Sequence, residues 1–433
     1  MLRRSQDSPG PLFLRGLLPE VTMVRIDKAP KRCVKAPSSR EAVMSFSDRS
    51  SRGILFGMTL TLIVGCSSGE SSPADMPSPT AISSGFMLPP SGTTGTPADD
   101  VTDPALGNLV NPNPTVITNW ALLPDGREWG STAGADIGPD GHVWAYDRCG
   151  GGLDGGCDTN LVDPIVKYDR NTGELLASFG AGLFVTPHGI HVDDDGNVWV
   201  TDFAGNEAGT KGHQVIKFSP EGEILMRLGV AGVPGNDSEH FNQPCDVITA
   251  PNGDIFVADG HSGQSQNPAE GSTGRIMKFT ADGEFIMEWG EIGIGPGEFR
   301  TPHALEFDSQ GRLFVADRGN HRIQIFDQDG NYLDSYYQFS RISGLFITDD
   351  DMLYAIDSET GGTNHPGWST GIRIGSASAD VVTAFIPGHA YQDRAWNTAG
   401  EGVAVDGDGN VYAAEGPGSR PAVDGGLTKY VRR

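Results

Sequence analysis

From about residue 131 onward the apolar positions fall into short alternating runs, broken by Gly, Asp and Asn, and the runs recur. Aligned on a turn residue they read ADIGPDGHVWAYD, GIHVDDDGNVWVTD, DVITAPNGDIFVAD, ALEFDSQGRLFVAD, GLFITDDDMLYAID and GVAVDGDGNVYAAE. Each is an alternating strand, a tight turn and a second strand rich in Val, Phe and Trp, which is hairpin patterning. Several continue into a third strand (HQVIKF, GRIMKF, HRIQIF), another turn, and a fourth strand closing on Trp-Gly or Leu-Gly. Four short antiparallel strands per unit of roughly 40–60 residues predict a propeller blade. Six units predict an all-β, six-bladed β-propeller.

A ring left open would expose raw strand edges on its first and last blades. The segment VITNWALLPDGREWG at 116–130 resembles the outer half of a blade such as FTADGEFIMEWG, while the last blade stops after LTKYV. The N-terminal segment is therefore expected to complete the last blade and close the ring, giving one domain over 115–433. The units resemble NHL repeats. Asp147, Asp202, Asp259, Asp317 and Asp357, with Glu415 in the last blade, end the second strands in that pattern. A residue repeated in every blade reads as hydrogen-bonding architecture.

The first 115 residues have no such period. Residues 1–43 form an upstream segment without pattern. From Met44 a short stretch carrying Arg49 and Arg52 precedes ILFGMTLTLIVG and Cys66, a basic then apolar sequence too short for a comfortable membrane span. Residues 63–66 resemble a bacterial lipobox, so 44–66 reads as a lipoprotein signal with Cys66 lipidated; a plain secretory signal is the alternative. Residues 67–114, biased to Ser, Pro, Gly and Thr, read as a flexible tether. This places the domain on the bacterial cell envelope, exported and attached to the membrane by its lipid alone.

Charge excludes one partner class. The net charge is −25, yet the first 53 residues hold 11 Lys/Arg against 5 Asp/Glu, leaving about −31 on the rest. Such a surface repels phosphate backbones, so nucleic acid is not expected. Of the 5 cysteines, Cys149 and Cys157 flank GGGLDGG, where an exported compartment permits a disulfide. Their spacing does not match a zinc-finger pair.

Chemistry is sought where a polar residue breaks the repeat. The position eight before each turn residue starts the innermost strand and faces the axis; it holds Ala133, His188, Cys245, His303, Ser343 and Glu401. Two histidines and a glutamate fall on alternate blades, about 120° apart in a six-fold ring. Three such groups converging on one point suit a zinc ion with an open position. The competing reading is polar lining of a wet channel. Cys245 is either a fourth ligand or a small apolar packing residue.

The stretch from Thr186 to Arg322 also resembles the lyase domain of peptidylglycine α-amidating enzymes. The segments that carry this are TPHGIHVDDDGNVWVTD, EHFNQPCDVITAPNGDIFVADGH and EWGEIGIGPGEFRTPHALEFDSQGRLFVADRGNHRIQIF. The resemblance implies a six-bladed propeller with zinc on the Pro-His histidines, here His188 and His303. The third family ligand is also a Pro-His, and that register reads Gly400-Glu401 here. Arg148 and Arg318 stand where the family has functional arginines, and guanidinium suits a carboxylated substrate. The family's catalytic tyrosine falls at His261, which can serve as a base. Its local cysteine pair falls at Asn242 and Ser262. Its calcium site uses a carbonyl near Ile190 and a side chain at Gly402, where this chain has none. The implied reaction is cleavage of a peptidyl-α-hydroxyglycine, or a related peptide or small carboxylated substrate, to an amide and glyoxylate. The rival reading is a non-catalytic NHL platform that captures a protein or glycan on its face.

Overall fold

The computed structural model describes residues 101–433, apart from 152–155, 266, 361–363, 390–399 and 417–425. The upstream segment, the signal with Cys66, and the tether as far as residue 100 lie outside the described residues. Those described fall in the compact unit Phe86–Arg433.

Six four-stranded antiparallel sheets succeed one another along the chain. Their first strands are Thr132–Ile137, Pro187–Val192, Pro244–Thr249, Pro302–Phe307, Gly344–Ile347 and Gly402–Val405, numbered here as blades one to six. Each first strand touches its counterparts in the two flanking blades, so the six surround a common axis. The aligned turn residue adopts left-handed backbone in every blade, with φ of 77° at Gly141, 82° at Gly196, 87° at Gly253, 72° at Gly311 and 77° at Gly409. Blade five reaches 61° with Asp351, a residue type that tolerates this region better than most.

The second strands Val143–Asp147, Val198–Asp202, Ile255–Asp259 and Leu313–Asp317 are buried at every position. Both of their faces meet a neighbouring blade, which is why they read as continuous apolar runs. The core is accordingly six layers between blades. Trp144 and Tyr146 of blade one pack with Val198 and Val200 of blade two, and Tyr412 and Leu427 of blade six pack with Ala135 and Tyr168 of blade one.

In blades one to four the strand-ending aspartate ties the top of the blade to the chain leading into its own first strand. Asp202 accepts from Val185 N and Thr186 N, Asp259 from Asn242 N, Asp317 from Arg300 N, and Asp147 from Gly130 N. They are architecture, and they act two to three residues ahead of the axial position.

Two boundaries differ from the sequence reading. In the segment 116–130 only Thr115–Ile117 is a strand, paired antiparallel to Leu427–Val431 as the outermost strand of blade six. Ala121, Leu123 and Trp129 instead pack into the layer between blades six and one. Residues 101–114, assigned by composition to the tether, are docked. Asp103 is buried and its Oδ1 lies 2.9 Å from Arg373 Nη2; Asn113 Nδ2 donates to Gly409 O and Tyr430 O. A Pro- and Asn-rich stretch can be ordered wherever its few polar side chains find buried partners, and composition does not show those.

Candidate metal centre

The axial register lands where the sequence placed it, and the backbone explains how. In blades one to four the ladder between first and second strand shifts register at the axial residue: between Thr132 and Gly134, Pro187 and Ile190, Pro244 and Asp246, and Pro302 and Ala304. Such a bulge takes one residue out of the pairing and re-aims its side chain. Ala133, His188, Cys245 and His303 are the residues so released. In blades five and six Ser343 and Glu401 sit one residue ahead of the strand.

His188, His303, Glu401 and His261 converge, with one ligand atom from each lying within 4.8 Å of all the others. His188 and His303 are held the same way: Nδ1 lies 2.7 Å from Cys245 O and 2.6 Å from Ser343 O, the axial carbonyl of the next blade. A carbonyl can only accept, so each Nδ1 carries the hydrogen and each Nε2 presents a lone pair. Those Nε2 atoms and Glu401 Oε2 are buried without a hydrogen-bond partner. Orphaned acceptors aimed at one another are unfavourable as they stand and fit a shared cation. Burial, reinforced by nearby arginines, pushes all three imidazoles well below their ordinary pKa, keeping them neutral as ligation requires. Burial pushes the Glu401 carboxyl up, opposed by Arg148 and Arg318.

His261 opens a short 3-10 turn, His261–Gln264, after the second strand of blade three. Its ring stacks on Phe203 at 4.8 Å and stands 5.1 Å from His188 and 5.4 Å from His303. Arg148 is fully buried; its Nε donates to Pro187 O and its Nη2 is 3.8 Å from Glu401 Oε2. Arg318 Nη1 is 3.5 Å from Glu401 Oε1, and its Nη2 reaches His261 Nε2 at 3.3 Å. Both Nη atoms of Arg148, and Nε and Nη1 of Arg318, lack hydrogen-bond partners. Spare guanidinium donors on either side of the cluster are equipped for an anion.

Other sequence candidates resolve differently. Cys245 Sγ packs in the layer between blades three and four, and its carbonyl does the work, serving His188 and Thr201. Cys149 and Cys157 form a disulfide, directly after Arg148. At Gly402 a Cβ would come within 2.7 Å of Ala133 O, so the backbone of blade one fills the place of any side chain there.

Four residues were missed: Phe203, Gln264, Arg341 and Glu359. Two carried a signal. Arg341 lies two before an axial position, where the blades before it have Ser131, Thr186, Gln243 and Thr301. Glu359 follows its strand-ending Asp357 by two, the register that holds His261 in blade three.

Residues 299–326 match the NHL repeat family. The chain is 36% identical over 291 residues to peptidyl-glycine alpha-amidating monooxygenase B of Xenopus laevis, covering 63% of this chain and 30% of that protein. It is 33% identical over 222 residues to a probable peptidyl-alpha-hydroxyglycine alpha-amidating lyase of Caenorhabditis elegans, covering 47% and 58%. It is also 37% identical over 159 residues to NHL repeat-containing protein 3 of Homo sapiens, covering 35% and 42%. The chain thus spans under a third of the Xenopus relative and about half of the other two. On sequence and architecture together, it is a six-bladed NHL-type β-propeller that resembles the amidating lyases.

Proposed function

We propose that this propeller is a metal-dependent lyase that cleaves a peptidyl-α-hydroxyglycine, or a closely related carboxylated substrate, to a peptide amide and glyoxylate. The observation that supports it most is the pairing of unsatisfied buried groups: three acceptors turned toward one point and spare guanidinium donors beside them. A passive binding platform has no use for either, and each such atom costs about 1–3 kcal/mol when left unpaired.

His188, His303 and Glu401 would hold the ion, zinc in the first instance, with His261 within reach. A zinc ion there supplies Lewis acidity toward the substrate's α-hydroxyl. Arg148 and Arg318 hold the terminal carboxylate and fix the orientation of the carbon that bears the hydroxyl. His261, kept neutral by burial and by Arg318, Arg148 and Arg341, takes the hydroxyl proton at Nε2. The O–H electrons become the carbonyl of glyoxylate, the C–N bond breaks, and the departing amide nitrogen takes a proton back from His261. Phe203, stacked on His261 and 5.8 Å from the Arg148 guanidinium, helps keep water from that proton. On the same reading Cys66 carries lipid and the domain works outside the cytoplasm, a compartment that suits the Cys149–Cys157 disulfide.

The test is incubation with an N-acyl peptidyl-α-hydroxyglycine, quantifying glyoxylate and peptide amide. Equal yields from the wild type and none from His188→Ala/His303→Ala are expected. A metal-replete wild type that releases no glyoxylate above the non-enzymatic rate would refute the reading.

A further inference from the structure

Arg318 is the hub of a network larger than its role in the reaction requires. Its Nη2 donates to Gln264 Oε1 at 3.1 Å. Its Nη1 faces two carboxylates, Glu401 Oε1 at 3.5 Å and Glu359 Oε1 at 3.7 Å, and hydrogen-bonds neither. Arg341 Nη2 bridges the same partners, donating to Gln264 Oε1 at 2.6 Å and Glu359 Oε2 at 2.9 Å. The two glutamates differ in setting. The side chain of Glu401 is 3% exposed, that of Glu359 30%. Glu359 therefore stands on the solvent side of Arg318, with its carboxylate turned to the donor that a substrate carboxylate would claim. Arg318 first, and then Arg341 against the cost of burial, holds its carboxyl down to about 2, so it is ionised under ordinary conditions.

We propose that Glu359 is an internal counter-ion that competes with the substrate carboxylate, and with the glyoxylate product, for Arg318 and Arg341. The inference rests on the reaction proposed above. Empty, the site has Arg148, Arg318 and Arg341 to neutralise; Glu401 faces the first two, and Glu359 serves from the rim, hydrogen-bonded to Arg341 but 3.7 Å from Arg318 Nη1, beyond a hydrogen bond. An arriving carboxylate takes the free Nη1 donor, and like-charge repulsion turns the Glu359 side chain outward, where it already has access to water. The same repulsion weakens the hold on glyoxylate and favours its release. Glu359 thus lowers the affinity of the site for carboxylates in exchange for turnover, which makes it a specificity residue rather than a catalytic one.

The experiment is calorimetric titration of the full-length, metal-replete protein with glyoxylate and, separately, with acetate. Wild type, Glu359→Gln and Glu359→Asp are compared, and the lyase assay is run in parallel. Glu359→Gln should bind glyoxylate roughly tenfold more tightly, with a lower KM and stronger product inhibition. Glu359→Asp keeps the charge and should stay close to wild type. Unchanged or weaker binding in Glu359→Gln overturns the proposal. Weaker binding in both variants also overturns it, because Glu359 would then only prop the arginines. Tighter binding in Glu359→Gln without any lyase activity would leave the counter-ion standing and remove the reaction. Absence of saturable carboxylate binding in all three proteins would remove both.

Discussion

Replacing Glu401 with Gln removes one charge and almost no volume, so its effects can be worked from distances. Glu401 is 3% exposed and lies 3.5 Å from Arg318 Nη1 and 3.8 Å from Arg148 Nη2. At an effective dielectric of about 20, each contact is worth about 4–5 kcal/mol of gross attraction. Desolvation offsets most of that, and removing one partner of a buried pair typically leaves a net loss of about 3–5 kcal/mol. Arg318 retains Glu359 nearby, which places the expected loss for the metal-free protein near the lower figure, about 3 kcal/mol. Metal affinity should fall as well, by at least the 10–100-fold seen when a ligand's supporting contacts are lost. The assay pairs urea unfolding, with and without chelator, with elemental analysis of the dialysed protein. A variant that keeps full metal occupancy and an unchanged midpoint in chelator would show that Glu401 is neither ligand nor counter-ion.

Three further outcomes concern the scaffold. Asp103→Ala removes the buried carboxylate nearest Arg373, which keeps its hydrogen bond to Ser369 O, Asp357 at 3.5 Å and its stacking on Trp368 and Phe385, and should cost about 2–3 kcal/mol in urea unfolding; a loss under 0.5 kcal/mol would mean that residues 101–114 do not hold the propeller. Opening the Cys149–Cys157 disulfide with a double serine substitution should cost about 2–3 kcal/mol and raise KM more than it lowers kcat, because it frees the chain next to Arg148; an unchanged KM would separate the loop from substrate binding. Burial pushes the Asp202 carboxyl up to about 7 despite two backbone donors, so the folded state keeps a proton that the unfolded state releases above about pH 4; stability should therefore fall between about pH 4 and 7 and level off above, and Asp202→Asn, compared by urea midpoints across that range, should flatten the slope.

Most of the ring was legible because propeller blades repeat a local pattern that depends on few long-range contacts. The alignment on Gly141, Gly196, Gly253, Gly311, Asp351 and Gly409 fixed the strand phase, and with it the axial register of His188, His303 and Glu401. What escaped was whatever the residue type does not encode. Cys245 and Ser343 act through their main-chain oxygens, and any residue would carry those. The bulges that turn the axial side chains inward leave no mark in an apolar alternation. Asp103 reads as one more acidic residue in a loose segment until Arg373, 270 positions away, is seen beside it. Arg341 and Glu359 do carry a mark in the sequence, since they break the repeat two residues before the axial position and two after the strand-ending aspartate.

The proposed roles at the centre make sense when taken together. As a ligand, Glu401 would bring a negative charge to the cation and weaken its Lewis acidity, which a neutral imidazole would not do. Arg148 and Arg318 flank that same carboxylate and draw on its charge, so part of the lost acidity is returned by the groups that also receive the substrate. This couples the two tasks. On the proposed reaction, a substrate carboxylate bound to the arginines would slacken their hold on Glu401 and make the glutamate a stronger donor to a bound ion. The same carboxylate, on Arg318 Nη1, would offset the guanidinium charge beside His261, whose Nε2 lies 3.3 Å from Arg318 Nη2, and so raise the basicity of that imidazole as substrate arrives. In these proposed roles, Glu401 as ligand and His261 as base would depend on the arginines in common. The pair should therefore be exchanged together when the site is altered, and Glu401→His alone should leave Arg148 and Arg318 without the carboxylate they share.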